Sequence, residues 1–230
     1  MNIALIGYGK MGHAVAELAS HRGHNVACII DNDDDWRQKA SELSQCDVAI
    51  EFSQPQCAVN NIQRCFELHR PVVCGTTGWN DRIDEIKRQC EKERQSLFVA
   101  SNFSIGMNIV FELNRMLARL AGRRTEYQVS LSETHHIHKL DAPSGTAITM
   151  ADDINRVCGK ERMPVADIVS IREGEVAGIH EVVYDSPFDT ITLRHSAKSR
   201  QGLALGALMA AEFLQGRQGF FTMSDLLSQQ

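Results

Sequence analysis

The sequence predicts an α/β protein with an N-terminal Rossmann-like parallel sheet, followed by a second α+β domain that carries a mostly antiparallel open sheet. Two patterns in the 230 residues support this. In the first hundred residues, short apolar runs alternate with segments of helical spacing, which is typical of parallel βαβ units. Between residues 168 and 195, three strand-like runs follow one another through short turns, and strands joined this closely are expected to be antiparallel.

The first hundred residues supply the parallel sheet. Their strands are near-continuous apolar runs, as expected for parallel strands covered on both faces. The predicted strands are 2–6, 25–30, 47–52, 71–74 and 97–100, and the predicted helices are 10–22, 55–69 and 79–94.

The remaining residues have a different pattern. The predicted helices are 104–120, 147–158 and 203–214, and the predicted strands are 127–133, 168–172, 179–184 and 190–195. We expect the last helix to return to the first domain. Residues 1–103 and about 204–230 would then form a dinucleotide-binding domain, and residues 104–203 the second domain.

Composition and charge exclude several classes of function. The chain has 24 Lys+Arg against 29 Asp+Glu and no basic run, so it is not expected to bind nucleic acid or a membrane surface. No apolar run approaches the ~20 residues of a membrane span, and the chain starts with a strand pattern rather than a signal peptide. Its seven cysteines form no Cys-x-x-Cys pair, which favours free thiols in a reducing cytoplasm.

A glycine loop joins the first strand to the first helix. The run Gly7-Tyr8-Gly9-Lys10-Met11-Gly12 has the G-x-G-x-x-G spacing of a dinucleotide fingerprint. In such a loop Gly7 permits the tight turn, Gly9 lets backbone N–H groups approach a pyrophosphate, and Gly12 lets the helix pack on the strand. Asp31 ends the second strand, where an acid can hold ribose hydroxyls. The alternative is a glycine-rich turn in another kind of α/β protein.

Two further loops lie at the carboxyl ends of predicted parallel strands, where open α/β sheets bind ligands. They are Gly75-Thr76-Thr77-Gly78 and Ala100-Ser101-Asn102-Phe103. Because glycine, threonine, serine and asparagine also favour ordinary turns, position alone leaves both interpretations open.

The densest group of reactive side chains follows the strand at 127–133. If that strand continues, its period of two puts Glu133, His135 and Lys139 on one face, with His136 and His138 on the other. An imidazole beside an ammonium favours an anionic ligand, and either can donate a proton. A zinc site is the competing hypothesis, but adjacent histidines point apart on a strand and Lys139 would repel a cation. We therefore expect no metal.

A helix start follows this cluster. The run Asp141-Ala142-Pro143-Ser144-Gly145-Thr146 has proline and serine near the predicted first turn. The N–H groups of Gly145 and Thr146, with the threonine hydroxyl, would make an anion pocket. A basic strand end beside a helix N-terminus suits a small carboxylate substrate.

The same residues resemble a known family. The run Glu133-Thr134-His135-His136-x-x-Lys139-x-Asp141-Ala142-Pro143-Ser144-Gly145-Thr146-Ala147 is similar to the signature of the dihydrodipicolinate reductases, also called 4-hydroxy-tetrahydrodipicolinate reductases. The resemblance extends through nearly the whole chain. It includes Gly-Lys-Met-Gly, Gly75-Thr76-Thr77-Gly78, Asn102-Phe103-Ser104 and His195-x-Ala197-x-Ser199-Arg200. The glycine loop is one residue shorter than the common family form.

The resemblance implies an activity and a set of site residues. The family reduces (2S,4S)-4-hydroxy-2,3,4,5-tetrahydrodipicolinate to tetrahydrodipicolinate with NADH or NADPH and loss of water, in lysine and diaminopimelate biosynthesis. By this resemblance His135 is the proton donor, and Lys139 also serves as donor and steadies the substrate. His136 contacts the substrate, and Gly145 with Thr146 holds a carboxylate.

The resemblance also implies the remaining cofactor contacts and an assembly. Residues after the fourth and fifth strands would touch the nicotinamide end: Gly75, Thr76, Thr77, Ala100, Ser101, Asn102 and Phe103. The family is a homotetramer built through its C-terminal sheet. The second domain is therefore expected to bind substrate and to oligomerise.

The residues after the second strand favour NADH. Asp31 is followed by Asn32-Asp33-Asp34-Asp35, and this acidic run should repel a 2′-phosphate. Family members that use NADPH well usually have a basic residue where this chain has Asn32. Since Lys10 could still reach a phosphate, dual use stays open. We expect NADH to be used at least as well as NADPH.

Two other classes of protein are the alternatives. One is another Rossmann enzyme, such as an amino-acid or semialdehyde dehydrogenase. The latter would need a cysteine nucleophile in a loop, and Cys74 lies in or at the end of a strand. The other is a nicotinamide-sensing regulator, which would need a DNA-reading element. The sequence contains no basic helix for that purpose.

Overall fold

The computed structural model describes residues 1–159 and 167–228, which fold into two compact units. The first unit contains Met1–Ser104 and the described residues from Arg200 onward, and the second contains the described residues of Ile105–Ser199. Within the described part of the chain, no helix has the length and apolar character needed to cross a membrane.

A six-stranded sheet forms the centre of the first unit. Its strands are β1 (Asn2–Ile6), β2 (Asn25–Ile30), β3 (Val48–Glu51), β4 (Val72–Cys74), β5 (Ser96–Val99) and β10 (Gly219–Phe221). They lie in the order β10-β5-β4-β3-β1-β2, and every neighbouring pair is parallel. The predicted N-terminal parallel sheet is confirmed. Because all strands run the same way, their carboxyl ends meet at one edge.

Helices cover this sheet. They are α1 (Lys10–His21), α2 (Asp33–Leu43), α3 (Pro55–Glu67), α4 (Ile83–Lys92, after a 3₁₀ turn at Asn80–Arg82), α7 (Gln201–Phe213) and α8 (Met223–Leu227). The central strands are buried almost completely, as their continuous apolar sequences predict. Helix α7 packs closely against the backbone at Phe103, since a Cβ at Gly206 would lie 1.8 Å from the carbonyl oxygen of Phe103.

Helix α2 was not predicted, although its start is visible in the sequence. The Asn32 side chain caps it by accepting hydrogen bonds from the N–H groups of Asp34 and Asp35, at 2.9 Å each. Acidic residues in the first turn favour the helix dipole. Only Trp36 and Leu43 of this helix are buried, so it has little apolar periodicity to detect. The short elements β10 and α8 were also missed.

The second unit packs two helices against a four-stranded sheet. The helices are α5 (Ile105–Ala121) and α6 (Gly145–Cys158), and the strands are β6 (Gln128–His135), β7 (Ile168–Arg172), β8 (Ile179–Asp185) and β9 (Thr190–Ser196). The strand order is β7-β6-β8-β9. Two of the pairings, β6–β8 and β8–β9, are antiparallel, which confirms the mostly antiparallel sheet.

Strand β7 corrects one expectation about this sheet. It does not pair with β8 but lies on the other side of β6 and runs parallel to it. The reason is the connection, since helix α6 lies between β6 and β7 in the chain. A strand-helix-strand crossover gives parallel strands. The strand β6 also continues two residues beyond its predicted end, to His135.

We expect Gly206→Ala to destabilise the protein, because its methyl group would collide with the carbonyl oxygen of Phe103. Overpacking of this kind costs about 1–3 kcal/mol. Gly202→Ala is the matched control, since Gly202 lies in the same helix and a Cβ there would meet nothing within 4 Å. The control should keep its stability or gain up to ~1 kcal/mol. Urea denaturation followed by circular dichroism measures both, and equal stabilities would contradict the close approach.

Candidate active site

The first candidate site is a pocket at the carboxyl edge of the parallel sheet. It has a volume of about 580 Å³ and lies where the chain order reverses, between β1 and β3. Ligands of open α/β sheets bind at this switch point. Four predicted residues line it, namely Gly7, Tyr8, Gly9 and Asp31. Lys10, Met11 and Gly12 open helix α1 directly after them.

The three glycines of the loop have different structural roles. Gly7 has a φ of +87°, and a Cβ there would lie 2.3 Å from the carbonyl oxygen of Phe52. At Gly12 a Cβ would lie 2.4 Å from the carbonyl oxygen of Gly7. Both are therefore required by the fold itself. A Cβ at Gly9 would meet nothing within 4 Å, so the protein leaves open the space that a phosphate group would need.

Asp31 is fixed beside this loop. Its Oδ1 accepts a hydrogen bond of 2.7 Å from the backbone N–H of Tyr8. The acids that follow it are each paired with a basic side chain. Their ion pairs are Asp33–Arg64 at 3.1 Å, Asp34–Arg37 at 2.9 Å and Asp35–Lys39 at 2.6 Å. The acidic run is therefore largely neutralised, and the uncompensated carboxylate nearest the loop is Asp31.

Sequence reasoning missed the segment after β3, which also lines the pocket. Phe52, Ser53 and Gln54 lie there, beside Trp36 and Asn61. Behind them the fully buried Glu51 accepts hydrogen bonds from the Ser53 N–H at 3.1 Å and from the Asn61 amide at 3.3 Å. The signal was available, because this segment ends a parallel strand just as the predicted loops do.

The predicted loops after β4 and β5 lie at the same edge. The Thr76 hydroxyl is buried and has no hydrogen-bond partner among the described residues, so a ligand could satisfy it. Thr77 and Ser101 are exposed, and Gly75, Ala100 and Asn102 are half-buried. Phe103 differs, since its ring packs in the core against Phe98 and Phe52 at centroid distances of 5.9 and 5.7 Å.

These observations fit a dinucleotide. The open space at Gly9, the helix N-terminus behind it, the fixed carboxylate of Asp31 and the unsatisfied hydroxyl of Thr76 are the groups that such a cofactor would use. Which of the predicted residues contact it stays a prediction.

The second candidate site lies in the second unit, around the end of β6. Glu133 and His135 are both buried on the same face of that strand, as the period of two predicts. Lys139 does not continue the strand, which corrects its predicted placement. The chain turns after His135, and the Lys139 N–H donates to the carbonyl oxygen of His136 at 3.1 Å. The Lys139 ammonium pairs with Asp141 at 2.7 Å.

A buried carboxylate lies at the centre of this site. The Glu133 side chain is 0% exposed, and it hydrogen-bonds to Nδ1 of His135 and to Nη1 of Arg172, the latter at 3.0 Å. Burial raises its pKa, but hydrogen bonds from neighbouring side chains, His135 and Arg172 among them, bring the pKa below its ordinary value. Burial lowers the pKa of His135, and the hydrogen bond and charge of Glu133 oppose that shift.

The start of α6 lies beside the same cluster. Ser144 caps the helix, since its hydroxyl accepts a hydrogen bond of 3.2 Å from the Ala147 N–H and lies 3.1 Å from Nε2 of His180. Gly145 is exposed at the first helical position, and a Cβ there would meet nothing within 4 Å. Thr146 is half-buried in the first turn and is not the cap.

Two residues of this site were missed in the sequence. His180 lies opposite Glu133 on β8, and Arg172 ends β7. Burial, together with the charge of His135, lowers the pKa of His180 to about 4, so it is neutral at physiological pH. Neither residue is near the signature in the chain, so only strand pairing brings them to it.

By distance alone this site also resembles a metal centre. Ligand atoms of Glu133, His135 and His180 lie within 4.8 Å of one another. However, Glu133 is already bound to the Arg172 guanidinium, and the Lys139 charge lies close enough to lower the pKa of His135. Two cationic side chains beside the donors oppose a metal ion. His136 and His138, the other histidines of the zinc hypothesis, are not part of this cluster; their rings lie 6.0 Å apart.

Together these features define a class of protein. The first unit has a parallel sheet of the order β2-β1-β3-β4-β5-β10, a glycine loop at its switch point and an acid after β2. These are features of the dinucleotide-binding α/β proteins that use NAD(P)H. Here that unit is combined with an α+β unit in which a helix start lies beside a cluster of a buried carboxylate, histidines and a lysine.

Comparison with known proteins identifies the family. The family model described as dihydrodipicolinate reductase, N-terminus, matches residues 1–103, and that described as dihydrodipicolinate reductase, C-terminus, matches residues 106–227. The chain belongs to the dihydrodipicolinate reductase family. It is 45% identical to a 4-hydroxy-tetrahydrodipicolinate reductase of Christiangramia forsetii, over 99% of this chain and 98% of that protein.

More distant relatives point to the same family. A 4-hydroxy-tetrahydrodipicolinate reductase of Staphylococcus epidermidis is 32% identical, over 98% of this chain and 100% of that protein. The dipicolinate-bound dihydrodipicolinate reductase of Paenisporosarcina sp. TG-14 is 20% identical and superposes with a TM-score of 0.77, over 96% of this chain and 97% of that one. At that identity the superposition shows the shared fold.

We expect Gly9→Ala to weaken NADH binding while leaving the fold intact. The added methyl group meets no protein atom, but it would occupy the space that the pyrophosphate needs. Isothermal titration calorimetry should show at least a tenfold higher Kd, with Tm unchanged. Gly7→Ala is the contrasting variant, because its methyl group would collide with Phe52 and lower Tm. A Gly9→Ala protein with the Kd of the wild type would remove this loop from the cofactor site.

Proposed function

We propose that this chain catalyses the NAD(P)H-dependent reduction of (2S,4S)-4-hydroxy-2,3,4,5-tetrahydrodipicolinate to tetrahydrodipicolinate, with loss of water, in lysine and diaminopimelate biosynthesis. Full-length similarity to proteins with this activity in their names supports it. The observation that carries the proposal is the arrangement of the signature residues. One buried carboxylate, Glu133, hydrogen-bonds to His135 and to Arg172, and Arg172 in turn donates to the backbone of Lys139. The start of α6 contacts His180 beside this cluster. The setting suits an anionic substrate that must receive a proton.

The first unit would bind and orient the cofactor, which supplies the hydride. The loop N–H groups and the N-terminus of α1 would hold the pyrophosphate. The Asp31 carboxylate, fixed by the Tyr8 N–H, would accept hydrogen bonds from the adenosine ribose hydroxyls. The loops after β4 and β5 would contact the nicotinamide end.

The second unit would bind the substrate, a dicarboxylate. The exposed first turn of α6 offers the N–H groups of Gly145 and Thr146 to one carboxylate, with His136 as a further contact. The Lys139 ammonium adds positive charge. It is paired with Asp141 and its side chain is 23% exposed, so a substrate carboxylate can reach it and take over that pairing.

Proton delivery would fall to His135 and Lys139. The overall reaction consumes one hydride and one proton and releases one water molecule. Hydride addition to a carbon conjugated with the imine places negative charge in the ring, and a proton donor or fixed positive charge stabilises that transition state. His135 and Lys139 are the candidate proton donors, because the Arg172 guanidinium keeps its proton and His180 is neutral.

The assembly we propose is a homotetramer formed through the sheet of the second unit. One face of the sheet carries apolar side chains that are exposed in the single chain, namely Val169 and Ile171 on β7. Apolar patches of this kind mark interaction surfaces. All seven cysteines are free, which suits a reducing compartment, and we propose the cytoplasm.

A coupled assay tests the proposed function. The substrate is generated in place by condensing pyruvate with aspartate semialdehyde, and the oxidation of NADH is followed by its absorbance. Oxidation that requires the condensing enzyme, with tetrahydrodipicolinate as the product, is the expected result. Reduction of NAD⁺ in the presence of an amino acid, or of aspartate semialdehyde with phosphate, would instead indicate one of the two dehydrogenase alternatives.

We expect kcat/KM with NADH to be at least equal to that with NADPH. Asp31 can bond ribose hydroxyls but repels a 2′-phosphate, and Asn32 offers no positive charge to compensate. Lys10→Ala separates the two cofactors, because it should lower kcat/KM for NADPH and leave that for NADH unchanged. A clear preference for NADPH at physiological ionic strength would contradict the assignment of Asp31.

We expect Lys139→Ala to lower kcat on the order of 10²-fold or more, with an unchanged Kd for NADH, since Lys139 lies in the second unit. Lys139→Arg distinguishes two roles. It keeps the charge but is a poor proton donor, so recovery of kcat indicates charge stabilisation. Lys92→Ala, at an exposed position at the end of α4, is the control. Weaker NADH binding with normal kcat would contradict the assignment of Lys139 to the substrate site.

A further inference from the structure

We propose that Glu133 is a positioning residue for both candidate proton donors: it orients His135 directly and holds the Lys139 turn through Arg172. This rests on the proposed function, because it concerns the same reaction. The resemblance to the family gives Glu133 no role, and sequence reasoning used it only to mark a strand face.

The two oxygens of the Glu133 carboxylate have different partners. Oε2 forms a hydrogen bond with Nδ1 of His135, and Oε1 accepts a hydrogen bond of 3.0 Å from Nη1 of Arg172. The side chain is 0% exposed, so water cannot replace either partner. A buried carboxylate held in this way has one available orientation.

The contact with His135 determines which ring nitrogen can exchange a proton. An ionised carboxylate only accepts hydrogen bonds, so Nδ1 of His135 carries the hydrogen and Nε2 is left for chemistry. Gly178 lies beside that atom, and a Cβ there would be 3.1 Å from Nε2. The protein therefore keeps larger side chains away from the working nitrogen.

The contact with Arg172 reaches the other donor. The Arg172 guanidinium also donates to the backbone carbonyl oxygens of Asp141, at 2.6 Å, and of Lys139, at 3.4 Å. These are the two residues whose side chains form the ion pair described above. Glu133 thus holds the guanidinium that fastens the turn carrying Lys139.

The charges around His135 show why this carboxylate matters for the proton. Burial lowers the pKa of His135, and the nearby charges of Lys139 and Arg172 lower it further. His180 packs edge-on against the His135 ring at a centroid distance of 5.1 Å and is neutral. Burial also lowers the pKa of the half-buried His195, which lies opposite His180 on β9. The Asp141 carboxylate forms an ion pair with the Lys139 ammonium. Of the groups that act on His135, Glu133 is the one that raises its pKa. Without Glu133, a smaller fraction of the His135 imidazole would be protonated at a given pH.

The first test is Glu133→Gln, which keeps the shape and removes the charge. At neutral pH kcat should fall at least about tenfold, by analogy with the partners that orient a metal-binding histidine. The KM for NADH should not change. Because less His135 would be protonated at a given pH, the alkaline limb of the kcat profile should move to lower pH. Glu133→Asp, which keeps the charge, should recover part of kcat and the original limb.

Glu181→Gln is the matched control. Glu181 lies on the neighbouring strand β8 and forms a carboxylate–guanidinium pair with Arg194 at 3.1 Å, without a histidine contact. If losing such a pair only loosened the sheet, both variants would behave alike. A shifted pH profile in Glu133→Gln alone supports the proposal, and wild-type kcat and pH profile in that variant overturn it.

A second measurement needs no variant of Glu133 and no activity. In ¹⁵N-histidine-labelled wild-type protein above pH 8, long-range ¹H–¹⁵N spectra report which nitrogen of His135 carries hydrogen, with His135→Gln identifying the signals. The Nδ1–H tautomer is expected, and the Nε2–H tautomer overturns the proposal even if Glu133→Gln does not fold.

Stoichiometric zinc in the purified protein, absent from Glu133→Gln, would also overturn it. A wild-type protein inactive in the coupled assay would refute the proposed function, whereas the tautomer is measured independently.

Discussion

The packing of three loops around Phe52 is the constraint on which the first unit depends. The backbone carbonyl of Phe52 fills the place where Gly7 would carry a Cβ, at 2.3 Å, and its ring fills the same place at Gly75, at 2.0 Å. The strands β1, β3 and β4 are neighbours and parallel, so these loops are brought together by backbone pairing alone. Their interlocking then leaves open only the position at Gly9, which is where an anion can approach.

The second unit depends on a buried charge rather than on close backbone contact. A carboxylate inside a protein is costly unless hydrogen bonds and an opposite charge compensate it. Glu133 has both, from His135 and Arg172, and it lies in a polar row that crosses the sheet through His180 and His195. Apolar side chains would pack this face at lower cost. A polar row that the core does not need, buried at Glu133 and His180 and half-buried at His195, is typical of a functional site.

The sequence predicted those parts that depend on local pattern. Apolar runs and glycine spacing located the sheet, the loop at Gly7 and the face shared by Glu133 and His135. Lys139 was misplaced because a period of two cannot show where a strand stops, and the turn after His135 has no glycine or proline to mark it. Arg172 and His180 reach the site through strand pairing over long stretches of chain, which no local pattern contains.

In the proposed site, the segment after β2 would link folding and cofactor choice at one position. Asn32 caps α2 by accepting two N–H hydrogen bonds, a role that arginine or lysine cannot take because neither accepts hydrogen bonds. A basic residue there would gain a contact to a 2′-phosphate and lose the cap. The acids that follow are used in pairs with Arg37, Lys39 and Arg64, so they contribute to α2 more than to the pocket. In the proposed preference for NADH, selection against the phosphate would therefore rest on Asp31 and on the cap itself.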